Sequence, residues 1–420
     1  IEFSAHNKYL VMIMTVVLMV FGYMALKKIP LDAIPDLSDT QVIIYSRWDR
    51  SPDLIENQVT YPIVSSLLGA PKVKSIRGIS DYGFSYVYVI FEDGVDLYWA
   101  RSRVLEYLNR ISSQLPSDVK TELGPDATSV GWVYQYILQD ESKKLNPADL
   151  RSIQDWNLRY QLQSLAGVAE VASIGGFVKQ LQVKIDPKKL EYFQVTINQV
   201  MEAVKNSNQE SGARTIEFSG AEAMIRSRGL VTNVDDIENA VVSYNPASRA
   251  PILIKQVAHV SFGAEMRRGI TDFNGEGDAV GGIIVMRQGE DAPAVINRVK
   301  ERLSDIQKSL PEGVKIVPVY DRSDLIERAI DTLKHTLLEE LIVVSLIILL
   351  FLWHIPSAIV PIVTIPISVL IAFIPLYLMG ITSNIMSLAG IAISIGVLVD
   401  GAIVEVENAY RKIQLWDETG

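Results

Sequence analysis

Asp400 is the residue in this chain best placed to do chemistry. It follows fourteen uncharged residues, Met386 to Val399, and is itself followed by Gly401-Ala402-Ile403-Val404. An ionised carboxylate at mid-bilayer costs about 2.5–3.5 kcal/mol on insertion scales, so such a group normally faces a bundle interior and takes part in moving protons or ions. Met386, Ile393, Asp400 and Glu407 recur every seven residues, which holds them near one face of a 3.6-residue helix. At about 1.5 Å rise per residue, Asp400 lies about 20 Å along that helix from Met386. Ala389, Gly390, Ala392, Ser394, Gly396, Gly401 and Ala402 are small enough to let neighbouring helices approach closely. The pattern reads as a proton or ion relay in a packed membrane bundle, with Asp400 the favoured carrier and Glu407 a second acid. The plainer alternative is an acid that snorkels to the interface, with Glu405 and Glu407 already among headgroups.

Four apolar segments must position such a relay. They are Tyr9–Leu26, Leu341–Trp353, Ala358–Met379 and Ile385–Val404, and Asp400 is the one charge inside any of their uncharged cores. The first is long enough to cross with modest tilt, and Lys27-Lys28-Ile29-Pro30 in place of a small-residue cleavage site argues for an uncleaved span. Four spans put both ends of the chain on one side, and Lys8 with Arg411-Lys412 makes that side cytoplasmic. About 300 residues between the first two spans then lie on the far side.

Composition agrees. Hydrophobic residues make up 49% and charged residues 21%, with a mean hydropathy of +0.21, so the apolar excess is concentrated in a few segments. A net charge of −10 argues against a nucleic-acid partner, which needs a basic footprint. The absence of cysteine excludes disulfides and thiolate metal sites within this chain, and four scattered histidines make no zinc motif.

The intervening region reads as duplicated. Thr40–Ser46 is strand-like, Pro52 opens a helix carrying Ile55, Val59, Ile63 and Leu67, and strands Val73–Ser80 and Phe84–Phe91 flank Asp81-Tyr82-Gly83. Leu97–Leu115 closes the unit as a second helix, giving the start of a split βαβ, ferredoxin-like domain. The order returns with strand Val130–Leu138 and a helix from Pro147 to Leu165, and Asp53-Leu54 and Asp149-Leu150 stand 96 residues apart at the two helix starts. Val168–Ile174 and Gln180–Ile185 are expected to pair around Gly175-Gly176. After about 90 residues of mixed structure, including strand-like Glu217–Arg226 and Ile252–Val260, the stretches Gly281–Met286, Ala292–Leu310 and Val314–Val319 supply β-α-β. From Ser323 a continuous helix is expected to run into the second span, and Pro356 and Gly380 mark tight turns.

Several dispersed stretches carry a resemblance. They are Ile34-Pro35-Asp36-Leu37-Ser38-Asp39, Glu56-Asn57-Gln58-Val59-Thr60-Tyr61-Pro62, Tyr86 through Gly94, Tyr98-Trp99-Ala100-Arg101-Ser102-Arg103-Val104, Glu122 through Thr128, Glu265-Met266-Arg267-Arg268-Gly269, and Asp400-Gly401-Ala402 with Val406-Glu407-Asn408. With them the chain resembles the N-terminal half of an RND (resistance–nodulation–division) transporter of the heavy-metal efflux branch. The fold this implies is an α+β membrane protein. It has four transmembrane helices and a large periplasmic region of two ferredoxin-like porter subdomains with an inserted docking subdomain. The corresponding divisions are 1–28 for the first span, 29–129 for the first porter subdomain, and 130–187 with 275–322 for the second. The docking subdomain is 188–274, the helix into the second span 323–355, the third span 356–380, the fourth 384–412 and a tail 413–420.

The resemblance further implies a proton/metal-cation antiporter of the bacterial inner membrane rather than an enzyme, with no cofactor beyond the transported ion and the coupling proton. Asp400 falls on the family's relay aspartate. Its partners are implied to be the C-terminal half of the same pump, which supplies a further acid and a lysine, two more copies in a homotrimer, a periplasmic adaptor (membrane-fusion) protein, an outer-membrane channel and the lipid bilayer. Thioethers suit soft monovalent Cu(I) or Ag(I), and Met386 and Met266 fall on two methionine positions of the copper/silver branch. Leu398 and Glu405 stand where two others are expected, so Glu405 is at most an added hard ligand. Ser394-Ile395-Gly396 replaces the Asp-Phe-Gly of the divalent branch, which favours Cu(I)/Ag(I) over zinc, cobalt or cadmium. Met12, Met14, Met19 and Met24 read as lipid-facing or packing side chains. Tyr86, Tyr88, Tyr98 and Trp99 read as domain packing, and Arg101, Arg103, Arg267 and Arg268 as surface ion-pairing groups. Glu339-Glu340 is expected at the membrane edge. A non-transporting scaffold that merely docks an adaptor is the rival from another class.

Overall fold

A computed structural model of the chain describes residues 6–210, 212–218, 220–226, 229–246, 248–267, 269–352 and 355–419. Arg268 and the Trp353-His354 pair at the end of the expected second span lie outside them. The chain forms two compact units: Ile1–Gln139 with Leu158–Ser173 and Gly281–Gly420, and Asp140–Asn157 with Ile174–Val280.

In the first unit, helix α1 (Lys8–Lys28) leads to β1 (Gln41–Arg47). A helix follows in three pieces, α2 (Pro52–Ile55), a wide turn Glu56–Thr60 and α3 (Tyr61–Leu67). Then come β2 (Val73–Asp81), β3 (Phe84–Phe91), α4 (Leu97–Ile111) and β4 (Lys120–Leu123). The sheet order is β2-β3-β1-β4, with Tyr45 of β1 opposite both Tyr86 of β3 and Glu122 of β4 in antiparallel register. Two βαβ halves thereby interleave. Alternation along the strands turns Val42, Ile44, Val87, Val89 and Phe91 inward, and the expected helical stripe Ile55, Val59, Ile63 and Leu67 meets them with at most 1% exposure. The closing strand β4 carries only four residues and has no apolar run to announce it.

The second sheet has the order β14-β5-β13-β6, built from β5 (Trp132–Asp140), β6 (Val168–Gly175), β13 (Val280–Met286) and β14 (Val314–Asp321). Along the chain, β5 is followed by α5 (Pro147–Ile153), a second wide turn Gln154–Leu158 and α6 (Arg159–Gln163), and β14 is preceded by α11 (Ala292–Gln307). Both first helices widen within four residues of an Asp-Leu pair, and the two sheets share one strand order. One expected pairing is not formed. β7 (Lys179–Ile185) does not pair with β6 but runs antiparallel to β12 (Ala258–Ala264), with Val183 opposite Val260. The backbone turns aside at Gly175 and Gly176, both left-handed, where a side chain on Gly175 would collide with the carbonyl of Ala279.

In the second unit α7 (Pro187–Phe193) and α8 (Ile197–Ser207) pack with β7 around Leu190, Val200 and Val257, and Ala203 of α8 joins Ala258 and Val260 of β12 in a second cluster. Thr196 caps α8 in a reciprocal capping box with Gln199. The stretch expected as one strand at Glu217–Arg226 is a hairpin, β8 (Gly212–Phe218) and β9 (Ala221–Arg226). After α9 (Val234–Glu238), β10 (Val241–Tyr244) pairs with β11 (Pro251–Leu253). A helical turn, α10 (Ile254–Val257), then divides Ile252–Val260, because Ile254 and Val257 are both drawn fully into the core.

The remaining helices belong to the first unit. α12 (Arg322–Leu352) begins directly after β14 and is unbroken, as expected. α13 (Ile355–Leu378) packs against α1, and α12, α13 and α14 (Ile385–Thr419) all pack against one another. Gly22 of α1 makes close approach possible: a side chain there would strike the Leu370 carbonyl. Gly380, at φ +69°, ends α13, with the N–H of Ile381 donating to Leu376 at 3.0 Å. Among the described residues, two helical stretches are long and apolar enough to cross a membrane. They are Lys8–Lys28 and Ile385–Ile413, with mean hydropathies of 2.3 and 2.1; Ile362–Leu378 is a shorter apolar stretch.

Candidate functional site: the open face of the last helix

α14 is started by its own side chains. The N–H of Ser387 donates to Asn384 Oδ1 at 3.0 Å, and the N–H of Asn384 donates to Ser387 Oγ at 2.9 Å. Asn384 Nδ2 also donates to Thr382 Oγ1 at 3.0 Å, and both Ser383 and Asn384 are 3% exposed. This cap fixes where the helix begins and therefore which residues share a face.

Two faces result. Ile391, Ile395 and Val399 are buried, packed against Phe373 of α13 or against Ile348 and Ile365 of α12 and α13. The other face carries the stripe predicted from spacing. Met386 is 70% and Ile393 76% exposed, and Asp400 and Glu407 are exposed with them. The spacing therefore grouped residues that do share a face, but within this chain they look away from the helix cluster, contrary to the interior placement expected of Asp400. Among the described residues Asp400 has neither an ion pair nor a hydrogen-bond partner. The small residues lie on or beside the same open face: an added carbon at Gly390, Gly396 or Gly401 would meet nothing within 4 Å. Small residues on an apolar helix allow close approach of a neighbouring helix, and here that face carries the one carboxylate of the apolar run.

The other candidates are dispersed. Met386 is the second residue of α14, far along the helix from Asp400, and Glu405 is exposed beyond Asp400. Met266 is 64% exposed in the second unit just after β12, beside Arg267, which pairs with Asp278 at 2.7 Å. Among the described residues no group of three or more His, Asp or Glu side chains could hold a metal ion. Arg103 pairs with Glu106 at 2.7 Å, whereas Arg101 donates to the Gly124 carbonyl at 2.7 Å and serves the backbone instead. Tyr86 packs on Tyr45 and Phe84, and Trp99 meets the edge of Phe91, as packing residues should. Glu340 of α12 is half-buried, with Oε2 lacking a hydrogen-bond partner among the described residues. Sequence reasoning passed over Asp32 and Arg322. They form an ion pair 2.9 Å long between residues 11% and 4% exposed in their side chains. The pattern Tyr320-Asp321-Arg322-Ser323, a charged cluster at the mouth of a long helix, was the available signal.

Comparison with known proteins adds four findings. The chain matches the AcrB/AcrD/AcrF family over residues 1–419. It is 49% identical over 414 residues to the cation efflux system protein CusA of Escherichia coli K12, covering 98% of this chain and 39% of that protein. It is 48% identical over 415 residues to the putative cation efflux system protein SilA of Salmonella typhimurium, covering 99% of this chain and 40% of that one. Its fold is similar to the crystal structure of a heavy metal efflux pump, at a TM-score of 0.85 and 32% identity over 97% of this chain and 41% of the other. The chain thus spans about 40% of the length of the relatives it matches.

Proposed function

This chain belongs to the AcrB/AcrD/AcrF family, and from that premise we propose that it is the relay-bearing part of a proton-driven heavy-metal exporter of the RND type. The observation that carries the proposal is Asp400, exposed in mid-helix on a face of small residues that no described helix of this chain covers. The similarity to two cation efflux proteins and to a heavy metal efflux pump supports the cargo class. In this reading the rest of the full-length protein, the C-terminal half, closes over α14 and brings a basic group to Asp400. A carboxyl enclosed by apolar helices takes up a proton, and one brought beside a cation releases it. Alternation between the two states moves protons inward and metal outward. Glu407, nearer the end of the helix, is the secondary acid.

The remaining architecture follows the same reading. α12 and α13 join α1 and α14 as membrane spans, giving four, with both ends cytoplasmic and the two sheets periplasmic. The sheets are the ferredoxin-like porter subdomains, and the residues inserted between β6 and β13 form a docking subdomain. The protein sits in the bacterial inner membrane as a homotrimer joined to a periplasmic adaptor and an outer-membrane channel. Cu(I) or Ag(I) is the favoured cargo, because exposed thioethers at Met386 and Met266 are soft donors; Glu405 is the weakest of the three candidate ligands.

The test is Asp400→Asn in the full-length protein, assayed for metal resistance in cells and for metal-driven proton flux in liposomes with Cu(I) and Zn(II) side by side. Loss of both activities is expected, with Cu(I) the better driver of the unaltered protein. Full resistance in the Asn variant would remove the relay, and flux driven by Zn(II) alone would replace the monovalent cargo with a divalent one.

A further inference from the structure

One guanidinium ties together the chain's exit from α1, the start of α12 and the start of β5. Arg322, the first residue of α12, is 3% exposed. Its Nη2 lies 2.9 Å from Asp32 Oδ1, and its Nη1 donates to the carbonyl of Val130, two residues before β5. The N–H of Asp32 donates to the Ser383 carbonyl at 3.1 Å, and the N–H of Ser383 donates back to Pro30 at 2.9 Å. The start of α14 is thereby attached to the same short segment, and the N–H of Ile385 adds a bond to Ala33 at 3.3 Å. Leu31 donates its N–H to Asp291 Oδ2 at 3.1 Å, while Asp291 Oδ1 caps α11 through the N–H of Ala294 at 2.8 Å. On the other flank of Arg322, Asp321 at the end of β14 is held by Lys300 of α11 and by Ser323 Oγ at 2.6 Å.

Burial alone does not account for this choice of residues. A buried ion pair offers little net stability over apolar residues of the same volume, because two charges must leave water. Burial raises the proton affinity of Asp32, and the Arg322 charge works against that rise. Arg322 Nε is also buried without a partner among the described residues, a further cost. What a planar, forked cation supplies that apolar side chains cannot is fixed direction between two acceptors. Here the acceptors lie on the α1–β1 connection and at the mouth of β5. Behind the fork, α12 extends without a break for 31 residues, about 45 Å of stiff rod at 1.5 Å per residue. β14 joins it with no intervening loop.

We propose that the Asp32–Arg322 pair is the joint that carries displacement of α12 and α14 into the second sheet, so that both are positioning residues for transport. The proposal rests on the export function argued above. When the charge at Asp400 changes, α14 shifts; the Ser383–Asp32 link and the Arg322 fork pass the shift to β5 and β14.

The experiment uses the full-length pump in liposomes, measuring metal flux and internal pH with Cu(I) and Zn(II) in parallel arms. Asp32→Asn and Arg322→Gln are each expected to lower metal flux at least tenfold, while metal binding in detergent stays within twofold of the unaltered protein. If both act through one bond, the double variant transports no less than the poorer single one. Arg322→Lys, which keeps a charge for Asp32 but loses the fork to Val130, recovers part of the flux. Thermal unfolding of each variant separates positioning from mere support: flux that falls only in proportion to folded protein overturns the joint. Flux within twofold in Asp32→Asn, or losses that multiply in the double variant, overturns it as well. Should Arg322→Gln fail to accumulate, the isosteric Asp32→Asn carries the test. Asp400→Asn pumping at full rate would remove the relay reading instead, and the metal-flux arm would still report on the joint whatever ion drives it.

Discussion

Asp32 and Asp400 are both carboxylates at helices of the same cluster, and the chain treats them in opposite ways. Asp32 is enclosed, ion-paired to Arg322 and linked through its backbone N–H to Ser383 at the start of α14. Asp400 is exposed and has no partner among the described residues, although it lies in the more apolar stretch. A buried charge must have its partner in place when the chain folds, because leaving it unpaired costs several kcal/mol. A charge that must change state cannot be tied so completely. In the proposed reading, the difference separates a joint whose contacts this chain supplies from a relay acid whose partner comes from the rest of the full-length protein.

The sharpest way to break that contrast is Asp400→Asn in the full-length protein. Export is expected to fall by about two orders of magnitude, the loss of an essential ~2.7 kcal/mol interaction, whereas Glu407→Gln leaves most of it; equal losses would erase the distinction between relay and flank. Next come the glycines of the two packing faces. Gly22→Ala forces a carbon onto the Leu370 carbonyl and should cost about 1–3 kcal/mol in thermal or denaturant unfolding. Gly396→Ala meets open space in this chain, so a comparable loss in the full-length protein would reveal the covering helix, and no loss would argue against one. A smaller effect is expected of Met386→Leu, which keeps shape and removes the sulfur. Metal flux should drop up to about tenfold, about 1.4 kcal/mol, with the pH profile unchanged.

The smallest effect concerns Asp321. Burial raises its proton affinity, but hydrogen bonds from Lys300 and Ser323 outweigh that and hold its carboxyl below the ordinary value. A depressed pKa contributes stability above the unfolded value, about 3.9, and loses it as pH falls further. Unfolding of Asp321→Asn and of the unaltered protein should therefore differ at pH 7 and converge below about pH 4. A gap that persists in acid would mean the ion pair is not its source.

Features carried by local periodicity were legible in the sequence. Ile55, Val59, Ile63 and Leu67 form the buried stripe their spacing announced, and Met386, Ile393, Asp400 and Glu407 share one face of α14. Pairings between distant residues were not legible. β7 has enough apolar residues to pair with either β6 or β12, and only the left-handed turn at Gly175 and Gly176 sends it to β12. β4 is too short to announce itself, and the partner of Arg322 lies 290 residues earlier, beyond the reach of any spacing rule.

Residue type and order by themselves determined which segments are apolar, which residues share a helix face and that one acid interrupts the last apolar run. Those properties depend on a residue and its neighbours within a few turns. Tertiary structure decided which face of α14 is covered and which is left open, and it brought Asp32 to Arg322. Both outcomes depend on where distant backbones settle once their apolar faces are buried, and a helical period places a side chain on a face without saying what will lie against it.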